Sequence, residues 1–245
     1  MIAAVLGAAV ALGASTSPPS LALTVAPSHL ALEAGAKATV RVGPTAGARL
    51  LLRASVTGLR LDARGQPQIG GKPDAAAWLK VTPQVVTVGP HGASFVVRSR
   101  RPAHARPGDH TAIVLLTGIA PGHRALVVGM RVGLVVTVAV RGRLTRRVAI
   151  VALGAQRKPG GRSLVVVTVA NRGDVIESIG GPSFQLTLRR HGHVLARPRL
   201  ARRKLLPRSR VILRFSCRVR GDVVARVVPG GPGRWAPARS FRLQM

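Results

Sequence analysis

The sequence predicts an all-β protein that folds as two consecutive β-sandwich domains. Short runs of Val, Leu and Thr alternate with Gly, Pro and Asn along the chain, with turn signals about every 8–12 residues, a spacing typical of a sandwich. No segment combines a helical period with capping residues. With 245 residues, 47% of them hydrophobic, the chain is long and apolar enough for two ordinary folded domains.

The N-terminal segment, residues 1–22, is predicted to be a signal peptide. Residues 2–14, IAAVLGAAVALGA, are an uninterrupted apolar run, which is short for a membrane span and suits a signal-peptide core. Ser20 and Ala22 place small residues before Leu23, where we expect cleavage. The segment departs from an ordinary signal peptide because no Lys or Arg precedes Lys37, and the alternative is a buried first strand.

The first sandwich is predicted to cover residues 23–145. Its expected strands are 23–32, 36–42, 48–58, 78–88, 92–99, 110–118 and 130–142. The long apolar stretch at 125–140 contains Arg131 and is rich in Val and Thr. We therefore interpret it as a buried strand pair and not as a membrane span.

The second sandwich is predicted to cover residues 146–245. Its expected strands are 146–153, 162–173, 182–190, 210–220, 222–228 and 239–245. In the clearest of them, RVILRFSCRVR, apolar side chains occupy every second position, as expected of a strand with one buried face. These residues are Val211, Leu213, Phe215, Cys217 and Val219. Cys217, the only cysteine, is thus expected to be a buried small hydrophobic residue and not a reactive thiol.

Two polar clusters are candidate sites of chemistry. In HARPGDH, residues 104–110, a metal site would need His104, Asp109 and His110 to converge, but their spacing matches no zinc pattern and Pro107-Gly108 is a turn dipeptide. We interpret this segment as a turn that leads into a strand beginning at His110. His191 and His193, in RRHGHVLARP, could share one face of a strand and bind an ion weakly, but Gly192 between Arg-rich arms favours a hairpin tip.

The sequence predicts no enzyme, no cofactor and no metal site. It contains no nucleophile elbow, HExxH, Walker loop or dinucleotide-binding fingerprint. A paired-carboxylate mechanism needs two acids in one pocket, whereas the seven acidic residues are scattered over predicted turns. We therefore expect a protein that acts by binding.

The net charge of +31, from 38 basic and 7 acidic residues, predicts attraction to polyanions that weakens with salt. The densest basic run is RPRLARRKLLPRSR, residues 197–210, which is either a solvated loop or a polyanion contact. Phosphate contacts alone could bind nucleic acid non-specifically. Aromatic residues make up only 2% of the chain, however, so a stacking surface for single strands is not expected.

The layout resembles a known family. PSHLALEAG, residues 27–35, has the form P-x-x-L-x-L-x-x-G; it is followed by WLKVTPQVVTV, by the HARPGDH turn and by the strand RVGLVVTVAVRG. These segments resemble the N-terminal peptidoglycan-binding domain of the WxL-interacting proteins of Gram-positive bacteria, in an actinobacterial-type variant without the C-terminal membrane helix. The chain is more distantly similar to PapD-like and other Ig-like modules. His110 stands where the family's P-G-x-Y motif has its aromatic residue. The resemblance implies tandem Ig-like domains, cell-wall association and no catalytic residue.

Together these observations predict an exported, non-enzymatic protein of the cell envelope that binds cell-wall polymer or an acidic surface protein. No dedicated nucleic-acid partner is expected, nor a membrane span beyond an uncleaved N-terminal segment. The candidate polyanion-binding residues are Arg98, Arg100, Arg101, Arg106, Arg197, Arg199, Arg202, Arg203, Lys204, Arg208 and Arg210.

Two alternatives remain open. The first is a PapD-like chaperone or adaptor that binds a partner β-strand, since GLVVTVAV, residues 133–140, could offer an exposed edge; against it, this segment also reads as an interior strand. The second is a basic protein that binds nucleic acid non-specifically, which would require residence in the cytoplasm.

Overall fold

The computed structural model describes residues 23–43, 49–70, 75–100, 102–119, 129–181, 184–229, 234–235 and 239–244. These residues form an all-β protein of two Ig-like sandwiches, which confirms the predicted fold class. Two short 3-10 turns, Ala76–Trp78 and Pro159–Gly161, are the helical elements of the described residues. The predicted signal peptide, residues 1–22, lies outside the described residues.

The first sandwich consists of a four-stranded and a six-stranded sheet. The four-stranded sheet has the order β1 (Val25–Ala26), β3 (Lys37–Val42), β8 (Ala93–Ser99) and β6 (Leu79–Thr82). The six-stranded sheet has the order β2 (His29–Glu33), β10 (Gly129–Val140), β9 (Gly108–Ile119), β4 (Leu50–Leu61) and β5 (Pro67–Ile69), with β7 (Val85–Val88) also beside β4. Only β2 and β10 pair in parallel; the other described neighbours are antiparallel.

The core of the first sandwich forms where alternate side chains of the two sheets meet. Phe95 and Val97 from the four-stranded sheet and Leu52 and Val136 from the six-stranded sheet are at most 1% exposed. Residues one position along each strand point the other way, because neighbouring side chains on a strand face opposite sides. Burying this apolar surface is the main stabilising contribution to the domain.

The second sandwich is built from the strands between Arg147 and Gln244. One sheet has the order β17 (Arg210–Cys217), β12 (Arg162–Asn171), β11 (Arg147–Lys158) and β19 (Arg234–Trp235). The other has the order β15 (His193–Ala196), β14 (Phe184–Arg190), β18 (Asp222–Pro229) and β20 (Arg239–Gln244). A short pair, β13 (Glu177–Ile179) and β16 (Arg203–Leu205), adds Ile179 and Leu205 to the core.

The alternation predicted for residues 210–220 is confirmed. Val211, Leu213, Phe215, Cys217 and Val219 are all at most 9% exposed, whereas Arg214, Ser216, Arg218 and Arg220 are exposed. Burial raises the pKa of the Cys217 thiol, as expected when an ionised form would lie in apolar surroundings. Cys217 is therefore a packing residue of this sandwich.

Two segments predicted as single strands are each divided between the two sheets. Residues 23–32 form β1 in the four-stranded sheet and β2 in the six-stranded sheet, so the chain changes sheets between Ala26 and His29. Residues 78–88 likewise divide into β6 and β7. A proline lies at each change, Pro27 and Pro83, and proline cannot donate a ladder hydrogen bond.

The segment predicted as a buried strand pair, residues 125–140, contributes one strand of twelve residues, β10. Residues 120–128 lie outside the described residues. Within the part of the chain that the structure describes, no helix has the length and apolar character needed to cross a membrane.

Candidate functional site

The HARPGDH segment lies where the two sandwiches meet. β9 begins at Gly108, two residues earlier than predicted. The Asp109 amide donates to the Asp174 carbonyl oxygen at 2.8 Å, and the Asp109 carboxylate accepts from the Ile176 amide at 2.7 Å. Two hydrogen bonds from one residue thus join the first sandwich to the segment between β12 and β13 of the second.

His110 points to the other side of β9 from Asp109. Its ring centroid lies 4.5 Å from that of Trp78, and its Nε2 is 2.8 Å from the Arg106 carbonyl oxygen, to which it donates. Over the described residues, no group of three or more His, Cys, Asp or Glu comes together. These contacts indicate that HARPGDH connects the two sandwiches. We call the region where Asp109 meets residues 174–176 the interdomain joint.

The segment around His191 and His193 forms the predicted hairpin tip. Arg190 pairs with His193 across the hairpin of β14 and β15. The turn residues His191 and Gly192 have φ values of 46° and 83°, the positive values that a tight hairpin turn requires. His191 and His193 are exposed.

The predicted basic residues are spread over several elements. Arg98 lies in β8, opposite Lys37 of β3 and Lys80 of β6, while Arg203 and Lys204 belong to β16, not to a loop. All of the predicted residues that are described are exposed: Arg98, Arg100, Arg106, Arg197, Arg199, Arg202, Arg203, Lys204, Arg208 and Arg210. Arg101 lies outside the described residues.

Three residues of the basic run 197–210 make structural contacts. Arg203 Nη1 donates to the Arg64 carbonyl oxygen of the first sandwich at 3.1 Å, and Lys204 Nζ lies 3.4 Å from Nε2 of His29. Arg208 forms an ion pair with Asp174 at 3.1 Å. Part of this run therefore lies at the joint between the sandwiches.

A segment of β10 is paired on one side only. β9 accompanies β10 along its whole length, from Gly129 to Val140. On the other side, β2 covers only Val135–Ala139. Among the described residues, no strand pairs with Gly129–Leu134 on that side. We call these six residues the free edge.

The change of sheets near the N-terminus explains why the free edge is uncovered. β2 begins at His29, and the preceding strand β1 pairs with β3 in the opposite sheet. The Val135 amide donates to the Ser28 carbonyl oxygen at 3.3 Å, and this is the last bond of the parallel ladder before the chain departs. Toward its N-terminus, β10 continues for six residues without this neighbour.

The polar backbone groups of the free edge can be assigned by the strand period. The Val135 amide and the Ala139 carbonyl oxygen both bond toward the β2 side. Because groups on alternate residues point to the same side of a strand, those of Gly129, Arg131 and Gly133 face the free side. Met130, Val132 and Leu134 alternate with them and are half-buried or buried, so an apolar row follows the open ladder.

An apolar cleft lies beside β10, between the two sandwiches. It has a volume of about 370 Å³. The first sandwich contributes Leu59, Leu61, Val135 and Thr137 to its wall, and the second contributes Ile176, Ile179, Leu206 and Val211. Val135 follows directly on the free edge, so the cleft and the free edge are neighbours along one strand.

His29 and Lys204 stand at the cleft from opposite sandwiches. His29 Nε2 lies 3.3 Å from Thr137 Oγ1 and 3.4 Å from Lys204 Nζ. Burial and, secondarily, the Lys204 charge lower the pKa of His29. A neutral imidazole can accept a hydrogen bond from the lysine ammonium group, whereas a protonated imidazole would repel that group across the cleft.

Glu177 is the buried acid of the joint region. Its side chain is 6% exposed and lies 3.7 Å from Arg146. Burial raises the pKa of Glu177 although the Arg146 charge acts in the opposite direction. The ion pair with Arg146 therefore offsets only part of the cost of burying the charged carboxylate.

Sequence reasoning named part of the free edge but not its extent. The segment proposed as an edge, residues 133–140, is covered by β2 over Val135–Ala139, so most of it is interior. The open part lies further toward the N-terminus. The cleft was missed altogether, because its wall comes from both sandwiches and no local pattern links Leu59 to Ile179.

No family model and no curated protein matches this chain. Among solved structures, a chain from the chaperone–tip adhesin complex of CFA/I fimbriae biogenesis matches with a TM-score of 0.50 at 11% identity, over 91% of this chain and 98% of that one. The class 5 fimbriae chaperone CfaA matches at 0.49 and 13%, over 91% and 100%. The Pseudomonas aeruginosa chaperone CupB2 matches at 0.46 and 16%, over 89% and 98%. At these identities, the first of these likenesses establishes the fold.

These neighbours overturn several predictions. The resemblance to WxL-interacting proteins is wrong, because the structure that matches with a TM-score of 0.50 belongs to a chaperone–tip adhesin complex. The cell-wall and peptidoglycan-binding function and the partners predicted with it, cell-wall polymer or an acidic surface protein, are wrong for the same reason. The turn spacing of a β-sandwich and a high net charge are too general to distinguish one family of Ig-like proteins from another.

One other prediction agrees with a neighbour. The structure that matches with a TM-score of 0.50 belongs to a chaperone–tip adhesin complex, in agreement with the prediction that the protein is not an enzyme.

Proposed function

We propose that this protein is an extracytoplasmic chaperone or adaptor that binds a partner subunit by pairing the free edge of β10 with a strand of the partner. The observation that carries the proposal is the six-residue ladder, Gly129–Leu134, which β9 pairs with on one side and which no described strand pairs with on the other. Unpaired backbone groups on a strand edge are a template for an added strand.

The side chains of the free edge suit this role. An added strand would gain main-chain hydrogen bonds from Gly129, Arg131 and Gly133, while Met130 and Val132, half-buried in the free protein, would lose their remaining contact with water. Main-chain bonds provide affinity in such complexes, and the pockets for alternate side chains provide specificity.

The cleft would extend the contact from the edge to the second sandwich. Its wall is apolar apart from His29, Thr137, Gln66, Arg203 and Lys204, and it begins at Val135, beside the free edge. We therefore expect apolar side chains of the partner to enter it. The role of the second sandwich in this proposal is to close one side of the cleft.

The fold likeness supports the proposal at the level of class. The solved structure with a TM-score of 0.50 is described as part of a chaperone–tip adhesin complex, so a fold of this kind binds a protein subunit in that case. The apolar N-terminal run, residues 2–14, supports export. By analogy, the partner is a secreted protein subunit.

The test combines amide exchange with one pair of variants. In the wild-type protein, the outward amides of Arg131 and Gly133 are expected to exchange quickly with solvent, and those of Val135 and Thr137 slowly, because β2 covers only the latter. Arg131→Pro removes one free-side donor without removing a bond to β9, and Arg131→Ala keeps that donor. A photoreactive residue introduced at Met130 captures the partner for identification by mass spectrometry.

We expect the Arg131→Ala protein to capture the partner and the Arg131→Pro protein to fail to capture it. Both variants should melt within a few degrees of the protein that carries the photoreactive residue alone. Equal exchange along the whole of β10, or undiminished capture by the Arg131→Pro protein, would show that no strand is added at this edge.

A further inference from the structure

The end of the second sandwich opposite the joint carries a strongly basic depression. It lies where β11 turns into β12 and where β17 leads into β18, and its volume is about 320 Å³. Its charged lining consists of Arg157, Lys158, Arg162 and Arg220. The rest of the lining consists of Gly161, Gly221 and Ser163, so no large hydrophobic side chain of the described residues lines the depression.

No acidic residue that the structure describes lines the depression with these four cations. Lys158 and Arg162 are direct cross-strand neighbours at the end of the hairpin, a position in which like charges repel. The ion pairs found among the described residues involve Arg141, Arg146 and Arg208, none of which lines the depression. The nearest acid in sequence, Asp222, lines a separate hollow with Arg189 and Arg242.

The Arg220 guanidinium lies close to the backbone of Gly161. Gly161 has a φ of 69°, and a Cβ atom there would overlap the Arg220 guanidinium. The guanidinium therefore lies over the glycine backbone, in the space that a side chain at this position would enter. In this position its planar donors line the depression.

We infer that this depression binds a phosphate-bearing ligand. Guanidinium groups match the geometry of phosphate oxygens and can bond to them in pairs, and lysine adds a compact charge. Four cations around about 320 Å³ are sufficient for one phosphate group or two linked ones. Binding would relieve the repulsion between Lys158 and Arg162. This inference does not depend on the proposed strand-binding function.

The test uses inorganic pyrophosphate with the full chain, in titration calorimetry at constant ionic strength. Arg162→Gln with Arg220→Gln is expected to weaken binding at least about tenfold. The matched control, Arg41→Gln with Arg53→Gln, removes the same charge from exposed positions of the first sandwich and is expected to change affinity less than about threefold. Equal losses in the two double variants would mean attraction to net charge alone and would overturn the inference.

A second measurement needs no variant. Pyrophosphate is expected to protect Lys158 from an amine-acylating reagent and to leave Lys80, on the first sandwich, as reactive as before. Vesicles of phosphatidylcholine with phosphatidic acid are tested in the same way. Protection of Lys158 by pyrophosphate alone indicates a soluble ligand, and protection by vesicles as well indicates a lipid headgroup. Protection of neither lysine, or of both equally, would overturn the inference.

Discussion

At the scale of single residues, Gly108 shows how closely the two sandwiches approach. It begins β9 with a φ of 136°, and a Cβ atom would overlap the carbonyl oxygen of Asp174 in the other sandwich. The adjacent residue, Asp109, makes both interdomain hydrogen bonds to the segment 174–176. Asp109 can reach its partners only because Gly108 has no side chain.

Gly108→Ala is expected to destabilise the protein by about 2–4 kcal/mol, since it combines an unfavourable φ with a collision against backbone that cannot move away. The control is Gly35→Ala, where φ is 94° and a Cβ atom would have no neighbour within 4 Å. That variant isolates the conformational cost, which we expect to be about 1 kcal/mol. Urea unfolding measures both, and equal losses would mean that the Asp174 contact does not constrain Gly108.

At the scale of elements, β17 illustrates how one strand divides its side chains between core and solvent. Leu213 is 2% exposed and its neighbour Arg214 is exposed. Two substitutions one position apart should therefore have very different effects.

Leu213→Ala is expected to lower the free energy of unfolding by about 2–5 kcal/mol because it leaves a cavity among buried residues. Arg214→Ala, on the solvent face, is expected to change it by no more than about 0.5 kcal/mol. Chemical denaturation of the two variants provides the comparison. A large loss in the Arg214→Ala protein would contradict the assigned orientation of β17.

Elements also mark the limit of what the sequence could predict. The strict alternation of residues 210–220 predicted which side chains of β17 are buried, because period-2 patterning is local. The division of residues 23–32 into β1 and β2 was not predicted, since both halves are apolar and alternate in the same way. Which neighbour a strand selects depends on the rest of the sheet. The free edge of β10 follows from that choice and so could not be located from its own residues.

At the scale of the whole molecule, a small number of polar contacts beside an apolar cleft connect the two sandwiches. His29 of the first sandwich and Lys204 of the second lie 3.4 Å apart, and the pKa of His29 is lowered by burial and by this lysine. In the unfolded chain, His29 should bind its proton at the ordinary value near 6.5. The folded state resists protonation, so this residue lowers stability as the pH falls below that value.

The wild-type protein is therefore expected to lose stability relative to the His29→Gln variant between about pH 7 and about pH 5. Above this window the two should differ by a constant amount, since His29 is neutral in both states. Lys204→Gln should reduce the effect because it removes the secondary cause of the shift. Urea unfolding across this pH range tests the expectation, which fails if wild type and variant respond identically to acid.

The place where the chain leaves one sheet for the other has a consequence for how the protein could change over time. β2 begins at His29. If β2 began one residue later, the open stretch of β10 would be one residue longer, and if it began one residue earlier, the open stretch would be one residue shorter. A shift of two would keep every side chain on its present face, as the strand period requires. The length of β10 that is open to an incoming strand therefore depends on where the chain changes sheets, near Pro27, about a hundred residues earlier in the sequence.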